Sequence, residues 1–203
     1  MNRKIYTLFA LLSLVFVFAS CGDDDDNTAE ILEWKAQQDQ VYRDVSNSGQ
    51  YSELISRTGN GSVYYKTSNN ITDQIPFSAV SPRLIEVTDT PPLFSDSVVC
   101  RYMGWYLNSD NEKVVFDGTE NMVIDGTEYN FNRQGGVGFQ VGGVIAGWSD
   151  ILQIMYPGNE YEVCIPQQLA YGSSGSGSIK YYTTLFFKLK LLKVFRKQTT
   201  DDK

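Results

Sequence analysis

From Thr28 to Val45 the apolar positions recur at helical spacing, so that Ile31, Trp34, Gln38, Val41, Tyr42 and Val45 fall on roughly one face and predict an amphipathic helix. Asn47-Ser48-Gly49 stops it, and a second, weaker helical patch is predicted over Tyr51 to Ile55 before Gly59-Asn60-Gly61 turns the chain. Beyond Ser62 the period changes from helical to alternating. Val63 to Lys66, Leu84 to Val87, Ser97 to Leu107, Val114 to Asp117, Tyr161 to Ile165 and Thr184 to Phe195 read as strands. Residues 68–82 are polar and proline-marked, hence loop, and Asp125-Gly126 marks a hairpin turn. Ser149 is the expected cap of a short helix over Asp150 to Met155, which Pro157-Gly158 ends. The closing LFFKLKLLKVF alternates well enough to suggest one wet face. Many strands and few helices make this an α+β chain: a curved antiparallel sheet of five or six strands wrapped on one short helix, with an N-terminal helical appendage.

The N-terminus obeys a different logic. Arg3 and Lys4 precede an apolar stretch from Ile5 to Ala19 that is too short for the roughly 20 residues of a bilayer span and ends in small residues, so residues 1–20 read as a secretory signal. The ending Phe18-Ala19-Ser20-Cys21 resembles a bacterial lipobox. That resemblance implies acylation of Cys21 and a lipid anchor to the membrane; the alternative is a secreted protein in which Cys21 is incidental. Behind it, residues 21–27 carry the run Asp23 to Asp26, whose mutually repelling carboxylates are expected to form a solvated, disordered tether. The same run resembles the surface-export signal of lipoproteins of the Bacteroides group, which implies a place on the cell envelope, at the outer membrane and on its outer face. The expected organisation is therefore signal 1–20, tether 21–27, helical appendage 28–60 and a principal domain 61–197.

Composition narrows the chemistry. The chain of 203 residues carries a net charge of −7, and loss of Arg3 and Lys4 with the signal makes it more acidic still, so nucleic acid is excluded as a partner. There is no histidine, and besides Cys21 the cysteines are Cys100 and Cys164, which removes His-based triads and the usual zinc sites. Cys100 shares strand parity with Tyr102 and should point inward, whereas Cys164 is out of phase with Ile165; two free thiols are expected.

Along residues 94–196 the order of pieces is a Tyr-x-Gly strand, Phe-Asp-Gly, FQVGGVIAGW, a helix, IPQQLAYGSSG and a closing LFFKLKLL strand. In that order and spacing the series resembles the FKBP-type peptidyl-prolyl isomerases. The resemblance implies an apolar cleft floored by Trp148 and walled by Val144 and Ile145, with Tyr102, Phe116, Asp117, Tyr171, Ile179 and Phe187 around it. It implies catalytic parts for Tyr102, Phe116, Asp117, Ile145 and Tyr171, with Asp117 organising Tyr102, the Ile145 N–H fixing the substrate carbonyl and Tyr171 offering it a hydroxyl. Val144, Trp148, Ile179 and Phe187 would bind substrate. No metal or cofactor is implied; the partners are proline-containing polypeptides, and the protein is expected to be monomeric.

Three departures qualify the resemblance. Ile179-Lys180-Tyr181 stands where the family usually carries Ile-Pro-Pro; the SSGSGS flap between Tyr171 and Ile179 is short and of mobile composition; and the segment between Asp117 and Phe139 lacks the expected pocket aromatic, for which Val137 or Phe131 is the expected substitute. Two functions follow: an isomerase assisting the folding of exported or envelope proteins, or a non-catalytic FKBP-like module that binds peptide or serves a structural role.

Overall fold

The structure, a computed structural model, describes residues 24–68, 84–119, 122–124, 127–131, 133 and 135–197. The signal, Cys21, all but Ser68 of the expected loop 68–82, and the expected turn at Asp125-Gly126 lie outside the described residues. Helix α1 (Asp24–Asn47) is followed by β1 (Ser52–Ile55), β2 (Ser62–Thr67), β3 (Leu84–Val87), β4 (Ser97–Leu107), β5 (Lys113–Gly118), β6 (Met122–Ile124), β7 (Thr127–Tyr129) and β8 (Val137–Gln140). Then come helix α2 (Ala146–Leu152), β9 (Glu160–Ile165) and β10 (Leu185–Lys197).

Eight of these strands form one antiparallel sheet in the order β1-β2-β9-β10-β4-β5, with β3 added to β10 and β8 added to β4. The α+β architecture is as expected, with more strands than the five or six anticipated. The two long strands change partner along their length: β4 pairs β8 over Ser97–Cys100 and β5 over Met103–Leu107, while β10 pairs β9 over Leu185–Lys190 and β3 over Val194–Lys197. Register shifts at Gly104/Trp105 and Leu191/Lys193 accompany the change, and such bulges bend the strands that carry them. β6 and β7 pair with each other in a separate two-stranded sheet, with Ile124 opposite Thr127.

Strand alternation sorts the side chains into two apolar layers. Cys100 and Tyr102 of β4 and Leu185, Phe187, Leu189 and Leu191 of β10 join Trp148, Ile151 and Leu152 of α2 in the principal core. The intervening Met103, Trp105 and Phe186 face the other way and join Val41 of α1, with Tyr42 and Val45 packed alongside. Trp105 and Phe186 stack at 5.6 Å. The predicted wet face of β10 is thus partly covered, because α1 lies on it.

The expected N-terminal helix is present, and its predicted face, Trp34, Gln38 and Val41 foremost, is buried. Two expectations are corrected. Tyr51 to Ile55 is not helical; β1 lies within this stretch and pairs β2, because its alternation lets Leu54 pack against the core. The tether does not extend through residue 27, since α1 starts at Asp24. The two cysteines are free and buried, Cys100 in the principal core and Cys164 in the layer under α1, so they lie on opposite faces of the sheet. Among the described residues no helix is long and apolar enough to cross a membrane.

Candidate functional site

Two glycines decide where the site can form. Gly147 lies in the first turn of α2, and a Cβ there would stand 2.4 Å from the Ile165 side chain, so only glycine lets the helix start against β9. At Gly104 a Cβ would stand 2.7 Å from both Phe116 and Phe187, so the bare backbone of β4 leaves room for two rings to meet above it. α2 begins at Ala146 with Ile145 as its N-cap, four residues before the expected Ser149 cap. The Ile145 carbonyl accepts from the N–H groups of Trp148 and Ser149, both at 3.0 Å, while its own N–H stands outside the helical ladder, as N-cap amides do. Ser149 is instead buried inside the helix, its hydroxyl accepting from Gln153 at 3.3 Å.

These constraints bring the predicted residues together. Trp148, 4% exposed, forms the floor, and three rings stand edge-on to it: Tyr102 at 5.0 Å, Phe187 at 5.1 Å and Phe139 at 5.2 Å. Phe116 meets Phe187 edge-on at 5.7 Å. Edge-to-face pairs set the negative face of one ring against the positive edge of the next, which fixes the box as well as filling it. Val144, Ile145, Gly143, Asp117 and Tyr171 complete a cleft of about 310 Å³. The Trp148 indole N–H is buried and has no acceptor among the described residues.

One polar edge borders this apolar space. The Tyr102 hydroxyl donates to Asp117 Oδ2 at 2.6 Å, and the Gly118 N–H donates to Asp117 Oδ1 at 2.9 Å. Burial first, and then the hydrogen bond to Asp117, push the Tyr102 phenol well above the usual tyrosine range. The Tyr171 phenol, 37% exposed at the mouth, is raised too, by burial and then by the Asp117 charge. Both tyrosines are therefore neutral donors at physiological pH, and the cleft contains no activated nucleophile. Among the described residues no cluster of three or more Cys, Asp or Glu side chains is placed to hold a metal ion.

Residues 92–192 match the family model described as FKBP-type peptidyl-prolyl cis-trans isomerase. The chain carries an FKBP-type domain. It is 39% identical over 89 residues to the FKBP-type 22 kDa peptidyl-prolyl cis-trans isomerase of Escherichia coli, covering 42% of this chain and 42% of that protein. Over 89 residues it is 42% identical to the outer membrane protein MIP of Legionella longbeachae, covering 42% of this chain and 37% of that one. The matched region thus spans about two-fifths of the length of these relatives. The crystal structure of FkpA from Escherichia coli superposes with a TM-score of 0.53 at 23% identity, over 84% of this chain and 63% of that one, a likeness of fold.

Within the FKBP-type domain, eight of the nine residues named from sequence line the cleft: Tyr102, Phe116, Asp117, Val144, Ile145, Trp148, Tyr171 and Phe187. Ile179 does not; it is buried in the principal core, because the flap folds back and turns it inward. Neither Val137 nor Phe131 supplies the missing aromatic. Val137 packs at the edge of the core and Phe131 against the layer under α1, near Gly118, whereas Phe139 fills the place. The signal was present in the sequence, since Phe139 alternates with Val137 along β8 and opens the apolar FQVGGVIAGW run. Arg133, whose Nη1 lies 3.0 Å from Asp117 Oδ1 and 3.3 Å from the Tyr102 oxygen, carried no such signal, for it sits in a stretch without periodicity.

Proposed function

We propose that the cleft catalyses cis-trans isomerisation of the peptide bond preceding proline in exported or envelope polypeptides. The observation that carries this reading is the four-ring box of Trp148, Tyr102, Phe139 and Phe187, the apolar floor and wall of a cleft of about 310 Å³ that has room for a proline ring, with the neutral phenols of Tyr102 and Tyr171 at its rim. Rotation about a peptide bond crosses a barrier of about 20 kcal/mol maintained by amide resonance, and an X-Pro bond isomerises unaided in tens of seconds or more. No bond breaks, so no nucleophile or general acid is needed.

The catalytic part is played by differential binding. A proline ring seated on Trp148 takes the preceding carbonyl out of water, which disfavours the dipolar planar amide relative to the twisted one. The Ile145 N–H, outside its helical ladder, fixes a substrate carbonyl, and the Tyr171 hydroxyl donates at the mouth. Asp117 acts through Tyr102, holding its ring upright against Trp148. Phe116 and Phe187 keep the wall dry, and Val144 closes the side beyond Ile145.

The test is a proline-tetrapeptide isomerisation assay on the purified chain. Catalysis that Phe187→Leu and Tyr171→Phe each reduce is the expected result. Activity indifferent to both substitutions, or none at all, overturns the reading; binding of proline peptide without turnover returns the non-catalytic alternative.

Cys21 is proposed as the lipid attachment point, placing the domain on the cell envelope at the outer membrane as a monomer. The lipobox-like Phe18-Ala19-Ser20-Cys21 supports this, and one relative bears the name outer membrane protein. Cys21→Ala should move the protein from the membrane to the soluble fraction, and alanines at Asp23 to Asp26 should abolish cleavage by external protease if that run is an export address.

A further inference from the structure

The flap that composition marks as mobile is tied down. The Tyr182 N–H donates to the Gly172 carbonyl at 2.8 Å, closing the loop at its base, and Ser176 and Ile179 exchange two backbone hydrogen bonds of 2.9 Å at its tip. Gly175, at φ +68°, leaves no room for a side chain, since a Cβ there would stand 2.4 Å from the Ile179 carbonyl oxygen. Tyr182 adopts φ 57°, a left-handed conformation that a non-glycine residue keeps only where its surroundings impose it.

Those surroundings are provided by α1, which lies outside the matched region 92–192. The buried Trp34 donates its indole N–H to the Tyr181 carbonyl at 2.9 Å. The fully buried Gln38 accepts the Thr184 N–H at 3.1 Å on its side-chain oxygen and the Thr184 hydroxyl at 3.0 Å on its backbone carbonyl. Its amide nitrogen donates to the Leu107 carbonyl at 2.9 Å, so one side chain joins the end of β4 to the entry of β10. The Lys180 ammonium stands 5.2 Å from the centre of the Trp34 ring, and that of Lys35 5.8 Å from the Tyr182 ring. Lys180 and Tyr181 are the two positions at which the expected prolines are missing. Prolines would restrict this backbone from within; here the restriction is applied across space by a helix.

We propose that α1 is the brace of the flap, with Trp34 and Gln38 as positioning residues that hold its base so that Tyr171, at the other end of the closed loop, keeps its place at the cleft mouth. The ordering cost is then incurred on folding rather than on substrate binding. The proposal rests on the cleft being a proline-peptide site. A chain of aromatic contacts supports the link: Trp34 meets Tyr106 edge-on at 6.2 Å, Tyr106 stacks on Phe116 at 6.4 Å, and Phe116 lines the cleft.

The test uses the full chain with Trp34→Phe, which keeps a ring but loses the donor, and Gln38→Met, which keeps the length but loses both polar groups. Hydrogen exchange at the Tyr182 amide should accelerate about two- to tenfold in Trp34→Phe, the equilibrium weight of one net hydrogen bond, and at least as much in Gln38→Met, which loses two, while the Tyr102 and Leu189 amides stay as protected as before. KM for a proline tetrapeptide should rise by a similar factor with kcat nearly constant. Unchanged exchange at Tyr182, acceleration spread equally through β4 and β10, or a local effect without a change in KM would each overturn the proposal. If the natural chain turns over no proline peptide at all, the functional reading fails, and exchange at Tyr182 alone decides whether the brace exists.

Discussion

Tyr102 and Asp117 meet across adjacent strands through a 2.6 Å hydrogen bond, and Arg133 bridges the pair from the solvent side. The arrangement lets a charged carboxylate border an apolar cleft without entering it: one oxygen orients the tyrosine ring that walls the site, the other is neutralised by a guanidinium and a backbone N–H. What the cleft receives from Asp117 is geometry rather than a proton.

That distinction has a pH signature. Because the Tyr102 phenol is raised in the folded protein, by burial and then by Asp117, the fold favours its neutral form. Its contribution is complete below the unfolded tyrosine value of about 10 and is lost only as pH rises through the higher folded value. Isomerisation should accordingly be flat between about pH 6 and about pH 9. Tyr102→Phe should lower kcat/KM by about two- to tenfold at every pH in that window, the weight of one hydrogen bond, as followed by a coupled proline-peptide assay.

Gly104→Ala tests whether the rings above β4 are as tightly set as they look. The added methyl would stand 2.7 Å from both Phe116 and Phe187, and overpacking of this kind costs about 1–3 kcal/mol. Urea unfolding should show a loss in that range. Catalysis should fall further than stability, because the displaced atoms are the cleft wall itself. A second substitution, Phe187→Leu, should recover part of the stability and none of the activity.

Phe139 is the aromatic that the family pattern places elsewhere. Phe139→Leu keeps an apolar side chain but removes the ring edge from Trp148 and Tyr102, so the proline-peptide KM should rise several-fold while thermal unfolding shifts by only a few degrees. Phe131→Leu, on the other face of the sheet, should leave KM unaltered.

The first β edge has its own acid-sensitive staple. Burial alone would raise the Glu162 carboxyl, but hydrogen bonds from Tyr51 at 2.5 Å and from Lys66, with its ion pair at 3.0 Å, outweigh it and hold the carboxyl below the usual range. A depressed folded value means stability that is present above the unfolded glutamate value of about 4.3 and lost as pH falls through the folded one. Melting followed by circular dichroism from about pH 6 down to about pH 3 should therefore show the natural chain losing its advantage over Glu162→Gln.

The parts of this molecule legible in the sequence were those written in short-range periodicity or in a fixed motif order. The face of α1, the alternation of β4 and the VIAGW run with its helix each declare their packing partner locally, and the cysteine parity followed from the same period of two. What escaped was decided by distant partners. Residues 51–55 look weakly helical alone and become a strand because β2 offers an antiparallel neighbour. The flap looks loose because glycine and serine carry no packing signal, yet Trp34 and Gln38, well over a hundred positions earlier, fasten it. Arg133 lies where neither period nor motif could point to it.

The placement of the two buried thiols on opposite faces of the sheet gives the protein a pair of internal clocks. Burial pushes both thiols up and keeps them protonated, so an alkylating reagent acts only on the fraction of molecules that has opened. Departure of α1 alone uncovers Cys164 and leaves Cys100 sealed beneath α2, whereas collapse of the principal core uncovers Cys100. The relative labelling rates of these two cysteines, read peptide by peptide in a mass spectrometer, thus time the shedding of the outer helical layer separately from the melting of the domain that it covers.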